Sequence, residues 1–230
     1  MTASGWDNPA VREGMRRMLE HRAELVGRGE RMIGWKLAFG APAWLEKFDI
    51  PGPLVGFLPQ SRNHPPGAAV PVRGWVLPVA EPEIAMYLSH DVDDPARAEK
   101  AVFGLGPAIE LADVDSPPDD IGDVLAGNIF HRAVILGEPD PTRGDGDVTG
   151  MRARIVKNGS QLVDTDDLES LTGKLVPILR HAAALLDAAG EQLRSGDVVI
   201  MGSVVPPIQV RSGEAITFEL SPLAPISVTV

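Results

Sequence analysis

Apolar side chains recur along this chain at two spacings, and the switches between them mark its elements. From Pro9 to Gly27, residues Val11, Met15, Met18, Leu19 and Leu25 repeat at helical spacing, with Asn8 placed to cap and Pro9 suited to the first helical position. Met32 to Phe39 reads as a first strand that carries one charged residue, Lys36. Phe48 to Pro66, rich in proline and glycine, reads as surface loop or lid. Glu81 to Ser89 alternates as a strand, putting Glu81, Glu83, Ala85 and Tyr87 on one face and Ile84, Met86 and Leu88 on the other.

Asp94-Pro95 opens a short helix running to Phe103. Gly106-Pro107 leads into a second strand, Ala108 to Ala112, with Glu110 facing away from Ile109 and Leu111. A short helix after Ser116-Pro117 ends near Gly127. His131 to Leu136 and Met151 to Val156 are further strands, and Asn158-Gly159 between apolar runs predicts a tight hairpin. Ile178, Leu179, Ala182, Leu185 and Leu186 form the stripe of a long helix with Pro177 in its first turn and Gly190 ending it. Short strands follow at Asp197 to Met201, Ile208 to Val210, Ala215 to Leu220 and Ile226 to Val230. A helix, a mainly β body interrupted by three helices and a β end predict an α+β fold rather than a doubly wound sheet. The expected division is an N-terminal helical segment, 1–30, and a catalytic β-rich domain, 31–230.

Composition narrows the function classes. With 230 residues, the chain can bury a substantial core. A net charge of −11 repels nucleic acid and anionic lipid unless basic residues cluster, and they do not. Zero cysteines exclude disulfides, a thiolate nucleophile and sulfur-bound metals. The start, Met1 to Asp7, has no apolar signal-like core, and no long apolar stretch follows, so a cytoplasmic protein without membrane or nucleic-acid partners is expected.

Phosphate loops, dinucleotide fingerprints, nucleophile elbows and zinc-protease motifs are all missing from the sequence. Asp145-Gly146-Asp147 lacks the spaced ligands of a calcium loop and reads as a solvated turn. The carboxylates remain. Glu81 and Glu83 share one strand face, and Glu110 lies on a second strand among apolar neighbours. Two readings stay open on spacing alone: a solvated sheet face, or three inward acids whose burial demands a cation. An all-oxygen donor set suits Mg²⁺ or Mn²⁺ better than Zn²⁺. Lys36, inside an apolar strand, either snorkels to the surface or turns its ammonium toward that site to bind a substrate carboxylate or move a proton.

The ordered set Gly34-x-Lys36, Glu81-x-Glu83-Ile84-Ala85, Pro107-x-x-Glu110, Gly127-Asn128 and Leu193 to Gly202 resembles the fumarylacetoacetate hydrolase superfamily. Within it, the branch of 2-keto-4-pentenoate hydratase and 4-oxalocrotonate decarboxylase is most similar. The resemblance implies a mixed β-sandwich roll with an N-terminal helix. It implies Mg²⁺ or Mn²⁺ held by Glu81, Glu83 and Glu110, Lys36 as the catalytic residue, and Asn128 and Ser203 as substrate-binding residues. The implied activity is hydration of a small 2-hydroxydienoic or 2-oxo acid, in a homo-oligomer serving aromatic compound catabolism. Decarboxylation or C–C hydrolysis of a related acid is the alternative, and a metal-binding scaffold or partner subunit without catalysis is a second.

The second alternative arises because polar positions of the hydratase branch are replaced. Phe39-Gly40 stands where a polar pair follows the lysine strand, and Pro51-Gly52-Pro53 stands where an acid is expected. Gly127 replaces the aspartate before the pocket asparagine, and Thr172-Gly173-Lys174 replaces a Gly-His-Pro. His21 and Glu24 match a hydrolase lid pair in letters but precede the lysine strand. His64 and His131 are the remaining proton-transfer candidates, each expected to be structural.

Overall fold

The computed structural model describes residues 5–144 and 146–230. Met1 to Ser4, read above for targeting signals, and Asp145 of the acidic loop lie outside the described residues. Helix α1, Pro9–Gly27, starts where expected: Asn8 Oδ1 accepts hydrogen bonds from Ala10 N at 2.9 Å and Val11 N at 3.3 Å. It buries Val11, Met15 and Met18. Strand β1, Met32–Ala38, is followed by helix α2, Pro42–Phe48, and strand β2, Leu54–Pro59.

Strand β2 corrects one expectation. The segment Phe48 to Pro66 holds a strand buried at every position and antiparallel to β1, rather than a surface lid. Its run Leu54-Val55-Gly56-Phe57-Leu58 lacks alternation because both faces are covered. Pro53 and Pro59, which suggest a loop, stand just before the strand and at its last position, where a missing N–H costs little. Two short strands follow, β3 at Asn63–His64 and β4 at Ala68–Ala69.

Strands β5, Pro78–Leu88, and β6, Val102–Asp113, form the longest ladder and are separated by a 3-10 turn, Pro95–Ala101, where a short helix was expected. Helix α3, Ile121–Ala126, packs on α1 and leads to β7, His131–Leu136. Strands β8, Arg152–Lys157, and β9, Ser160–Thr165, make the expected hairpin, with Asn158 and Gly159 at φ 52° and 78° as a tight turn requires. Helix α4, Leu175–Ala188, buries Ile178, Leu179, Ala182, Leu185 and Leu186. The chain ends in β10, Val198–Ser203; β11, Ile208–Gln209; β12, Ala215–Ser221; and β13, Ile226–Thr229.

The strands form two sheets, in the orders β2-β1-β10-β5-β6-β7-β3, with β11 also on β5, and β4-β13-β12-β8-β9. Most pairings are antiparallel, whereas β1 with β10, β3 with β7 and β13 with β4 are parallel. One face of the larger sheet carries a patch of Leu58, Ala85, Ala108, Val134, Val198 and Ile200. Glu83 and Glu110 lie two residues along the strands from Ala85 and Ala108, so the acids occupy the same face. Among the described residues, no helix is long and apolar enough to cross a membrane.

Candidate metal centre

Glu81 and Glu110 are direct cross-strand partners in the β5/β6 ladder, and Glu83 is the next residue of the same face. Like charges placed opposite one another destabilise a sheet. Nevertheless, one carboxylate oxygen from each of Glu81, Glu83 and Glu110 lies within 4.8 Å of the other two. Glu83 and Glu110 are buried, and Glu81 is half-buried at the cavity edge. The solvated-face reading fails on this burial.

Proline in β5 shapes the site locally. Pro82 has no N–H to give β10, and next to it the β10 register shifts between Ile200, opposite Ala85, and Ser203, opposite Glu83. Gly202, at φ 90° in that irregularity, turns its N–H to donate to Glu83 Oε2 at 2.6 Å. Ser203 Oγ donates at 3.3 Å to the Pro82 carbonyl, which also accepts from Val204 N at 2.9 Å, and Ser203 lines the cavity beside Glu81 and Glu83.

Lys36 does not snorkel. It is 1% exposed, donating to Glu110 Oε1 at 2.5 Å and to the Ile129 carbonyl at 3.1 Å. Room for its stem comes from Gly56 on β2, where a Cβ would lie 3.0 Å from Lys36 Cγ and 2.7 Å from Asn128 Oδ1. An ammonium has three donors, of which the bonds to Glu110 and Ile129 use two, and Lys36 also lines a cavity of about 150 Å³ shared with Glu81.

His131 is likewise at the site, with Nδ1 2.7 Å from Glu110 Oε1. A bulge delivers it: Leu111 pairs with Ala133, but Ala112 pairs with His131 rather than Arg132. That skipped residue swaps which side chain of β7 reaches the Glu110 face. Sequence periodicity does not show this approach to Glu110, because a bulge leaves no periodic signal. His21 packs its ring near Phe57, and His64 pairs with Ile135 on β3; neither belongs to the carboxylate group.

Asn128, the pocket-lining residue implied above, is bonded to the β2 backbone. Its Oδ1 accepts from Phe57 N at 2.8 Å, and its Nδ2 donates to Phe57 O at 2.9 Å, so both ends are used to hold β2. Asn128, Ile129 and Phe130 form a left-handed run at φ 55°, 52° and 61°. Such a run is costly for Ile and Phe, and it aims the Ile129 carbonyl at Lys36.

Charge balance favours a cation at this site. Burial pushes Glu81 up to about 7, with the Glu110 charge adding and Lys36 opposing. Burial, then the charges of Glu110 and Glu81, raise Glu83 well above the usual carboxylate range, against Lys36 and the Gly202 N–H. Burial would raise Glu110 too, but the Lys36 ammonium and the His131 hydrogen bond hold it below the ordinary value. Glu110 Oε2 is buried without a hydrogen-bond partner. Carboxylates that repel one another around a bare oxygen fit a hard divalent cation with open positions for water or substrate.

Beside Glu81 and Glu83 lies a cavity of about 220 Å³ whose far walls are Phe39, Trp44, Leu171, Ile178 and Pro207. Phe39 and Trp44 meet edge to face at 5.0 Å, and Trp44 stacks on Phe48 at 5.7 Å. A cavity of this size suits a small acid. A larger open cleft beside Asp147 and Lys174 lies elsewhere. Asp147 there accepts from Thr149 N at 2.9 Å and Thr149 Oγ1 at 2.6 Å, as in a capped turn.

Residues 37–230 match the fumarylacetoacetate (FAA) hydrolase C-terminal family, and the chain belongs to it. A 4-oxalocrotonate decarboxylase of Pseudomonas sp. is 26% identical over 97% of this chain and 88% of its own length. A 2-hydroxyhexa-2,4-dienoate hydratase of Comamonas testosteroni is 27% identical, over 81% of this chain and 73% of that one. Among solved structures, 4-oxalocrotonate decarboxylase from Pseudomonas putida G7, complexed with magnesium and adipate, superposes with a TM-score of 0.82 at 21% identity. That match covers 92% of this chain and 82% of the other. Fumarylpyruvate hydrolase from Pseudomonas aeruginosa, in complex with Mn²⁺ and pyruvate, gives 0.66 at 16% identity over 87% and 89%. The expected mixed roll with an N-terminal helix is therefore the fold observed.

Proposed function

We propose that the chain is a divalent-metal-dependent lyase that hydrates a small 2-hydroxydienoic acid, with Glu81, Glu83 and Glu110 holding Mg²⁺ or Mn²⁺. The carrying observation is the convergence of three carboxylates, two of them buried, beside a cavity lined by Ser203 and apolar walls. Relatives bearing hydratase names and solved relatives holding magnesium or Mn²⁺ support the reading. The ion supplies a positive charge that polarises a 2-oxo group and stabilises enolate charge. Lys36, bonded to Glu110, offers its third N–H to the substrate, either as a hydrogen bond or as a proton for a neighbouring carbon. Ser203 offers a hydroxyl to the substrate head, and Trp44 and Phe39 exclude water from its tail.

The cavity's composition favours hydration of a mono-acid over decarboxylation of a dicarboxylate. Among the described residues, its ionisable lining is Glu81 and Glu83, so a second substrate carboxylate would meet mostly apolar walls and the Thr172 hydroxyl, without a cation. The test incubates the chain with Mn²⁺ or Mg²⁺ and either 2-hydroxypenta-2,4-dienoate or 4-oxalocrotonate, alongside Glu83→Ala and Lys36→Ala. Water addition to the mono-acid by wild type only is expected. Carbon dioxide release from the dicarboxylate favours the decarboxylase alternative. No turnover with metal demonstrably bound leaves the scaffold, and equal turnover in both variants refutes the site.

A further inference from the structure

Glu110 is crowded on one oxygen and bare on the other. Lys36 Nζ and His131 Nδ1 both contact Oε1, at 2.5 and 2.7 Å, while buried Oε2 has no partner. A carboxylate accepts on both oxygens, so two donors need not share one. Placement enforces it: Lys36 is tethered by the Ile129 carbonyl, and His131 is turned inward by the β7 bulge. An ammonium is a point charge that binds from many directions, whereas a buried imidazole N–H has a single direction. The ring is therefore what fixes the carboxylate plane.

We propose that His131 is a positioning residue for the metal centre. By donating Nδ1–H to Glu110 Oε1, it holds Oε2 toward the cation that Glu81 and Glu83 also bind. The inference rests on the metal reading of the three glutamates. It fixes a tautomer as well: with the proton on Nδ1, Nε2 is a bare acceptor, in keeping with its burial without a partner. Partners of this kind typically change metal affinity by about 10–100-fold when removed.

The full-length chain is titrated with Mn²⁺ by calorimetry as wild type, His131→Leu and His131→Asn, and the wild-type imidazole is observed by ¹⁵N NMR without metal. Affinity should fall by about 10–100-fold in His131→Leu. It should recover to within a few-fold in His131→Asn, whose amide N–H stands near the position of Nδ1. The wild-type ring should be the Nδ1–H form, which requires no variant to fold. Unchanged affinity in His131→Leu, no recovery in His131→Asn, or an Nε2–H ring would overturn the proposal while leaving the metal centre standing. Failure of wild type to bind Mn²⁺ would overturn the metal centre itself, and this proposal with it.

Discussion

Asn128 grips both backbone groups of Phe57, accepting from its N–H and donating to its carbonyl. This pair ties the turn before β7 to β2, which flanks the lysine strand. Asn128→Ala leaves two buried backbone groups unpaired, at roughly 1–3 kcal/mol each. A total loss of about 2–6 kcal/mol is expected in chemical denaturation, with faster hydrogen exchange at the Phe57 amide. Asn128→Asp should fare no better, since a carboxylate cannot donate to Phe57 O. Native exchange at that amide in either variant would remove the pinning role.

Lys36 is expected to be irreplaceable. Lys36→Met should lower turnover by about 10²–10⁴-fold, the usual worth of a positioned proton donor. Lys36→Arg should not restore it, because Gly56 and Asn128 leave space for a stem and a single nitrogen. Steady-state rates with circular dichroism as a folding control decide this. Activity within tenfold of wild type in Lys36→Met would remove the lysine from the chemistry.

His181 supplies a pH dependence. Its Nε2 lies 3.1 Å from the Pro53 carbonyl, and burial holds its pKa below the ordinary 6.5, with the Pro53 hydrogen bond opposing. The unfolded chain takes up this proton before the folded one, so the His181 contribution is present above about pH 6.5. It is lost as pH falls through the lower folded value. His181→Gln, which retains an amide donor, should flatten the loss of melting temperature between about pH 7 and pH 5. His131, lowered by burial as well, remains in both proteins, so the difference reports His181. Parallel curves would contradict this.

Metal removal should cost stability. An ion at 100 times its dissociation constant adds about 2.7 kcal/mol, which for a domain of this size is about 5–10 °C in melting temperature. EDTA should reverse that rise in wild type, and Glu83→Gln should not show it. A similar rise in Glu83→Gln would place the ion elsewhere.

Much of this site was legible in the chain because strand periodicity reports faces. Glu81 and Glu83 two apart, and Glu110 between Ile109 and Leu111, announce inward acids once burial is granted. Sequence could not convey events that break periodicity. The β7 bulge that turns His131 inward, the doubly buried β2 bounded by prolines, and the left-handed run through Ile129 and Phe130 all depend on neighbours distant in the chain. The Asn128–Phe57 pair is hidden for the same reason, since its members stand 71 residues apart.

The most direct test is an anomalous-difference map at the manganese edge from crystals of the full chain saturated with Mn²⁺. A single strong peak bounded by carboxylate oxygens of Glu81, Glu83 and Glu110 is the predicted result. A featureless map there at saturating Mn²⁺, with the three side chains turned apart, would contradict the account.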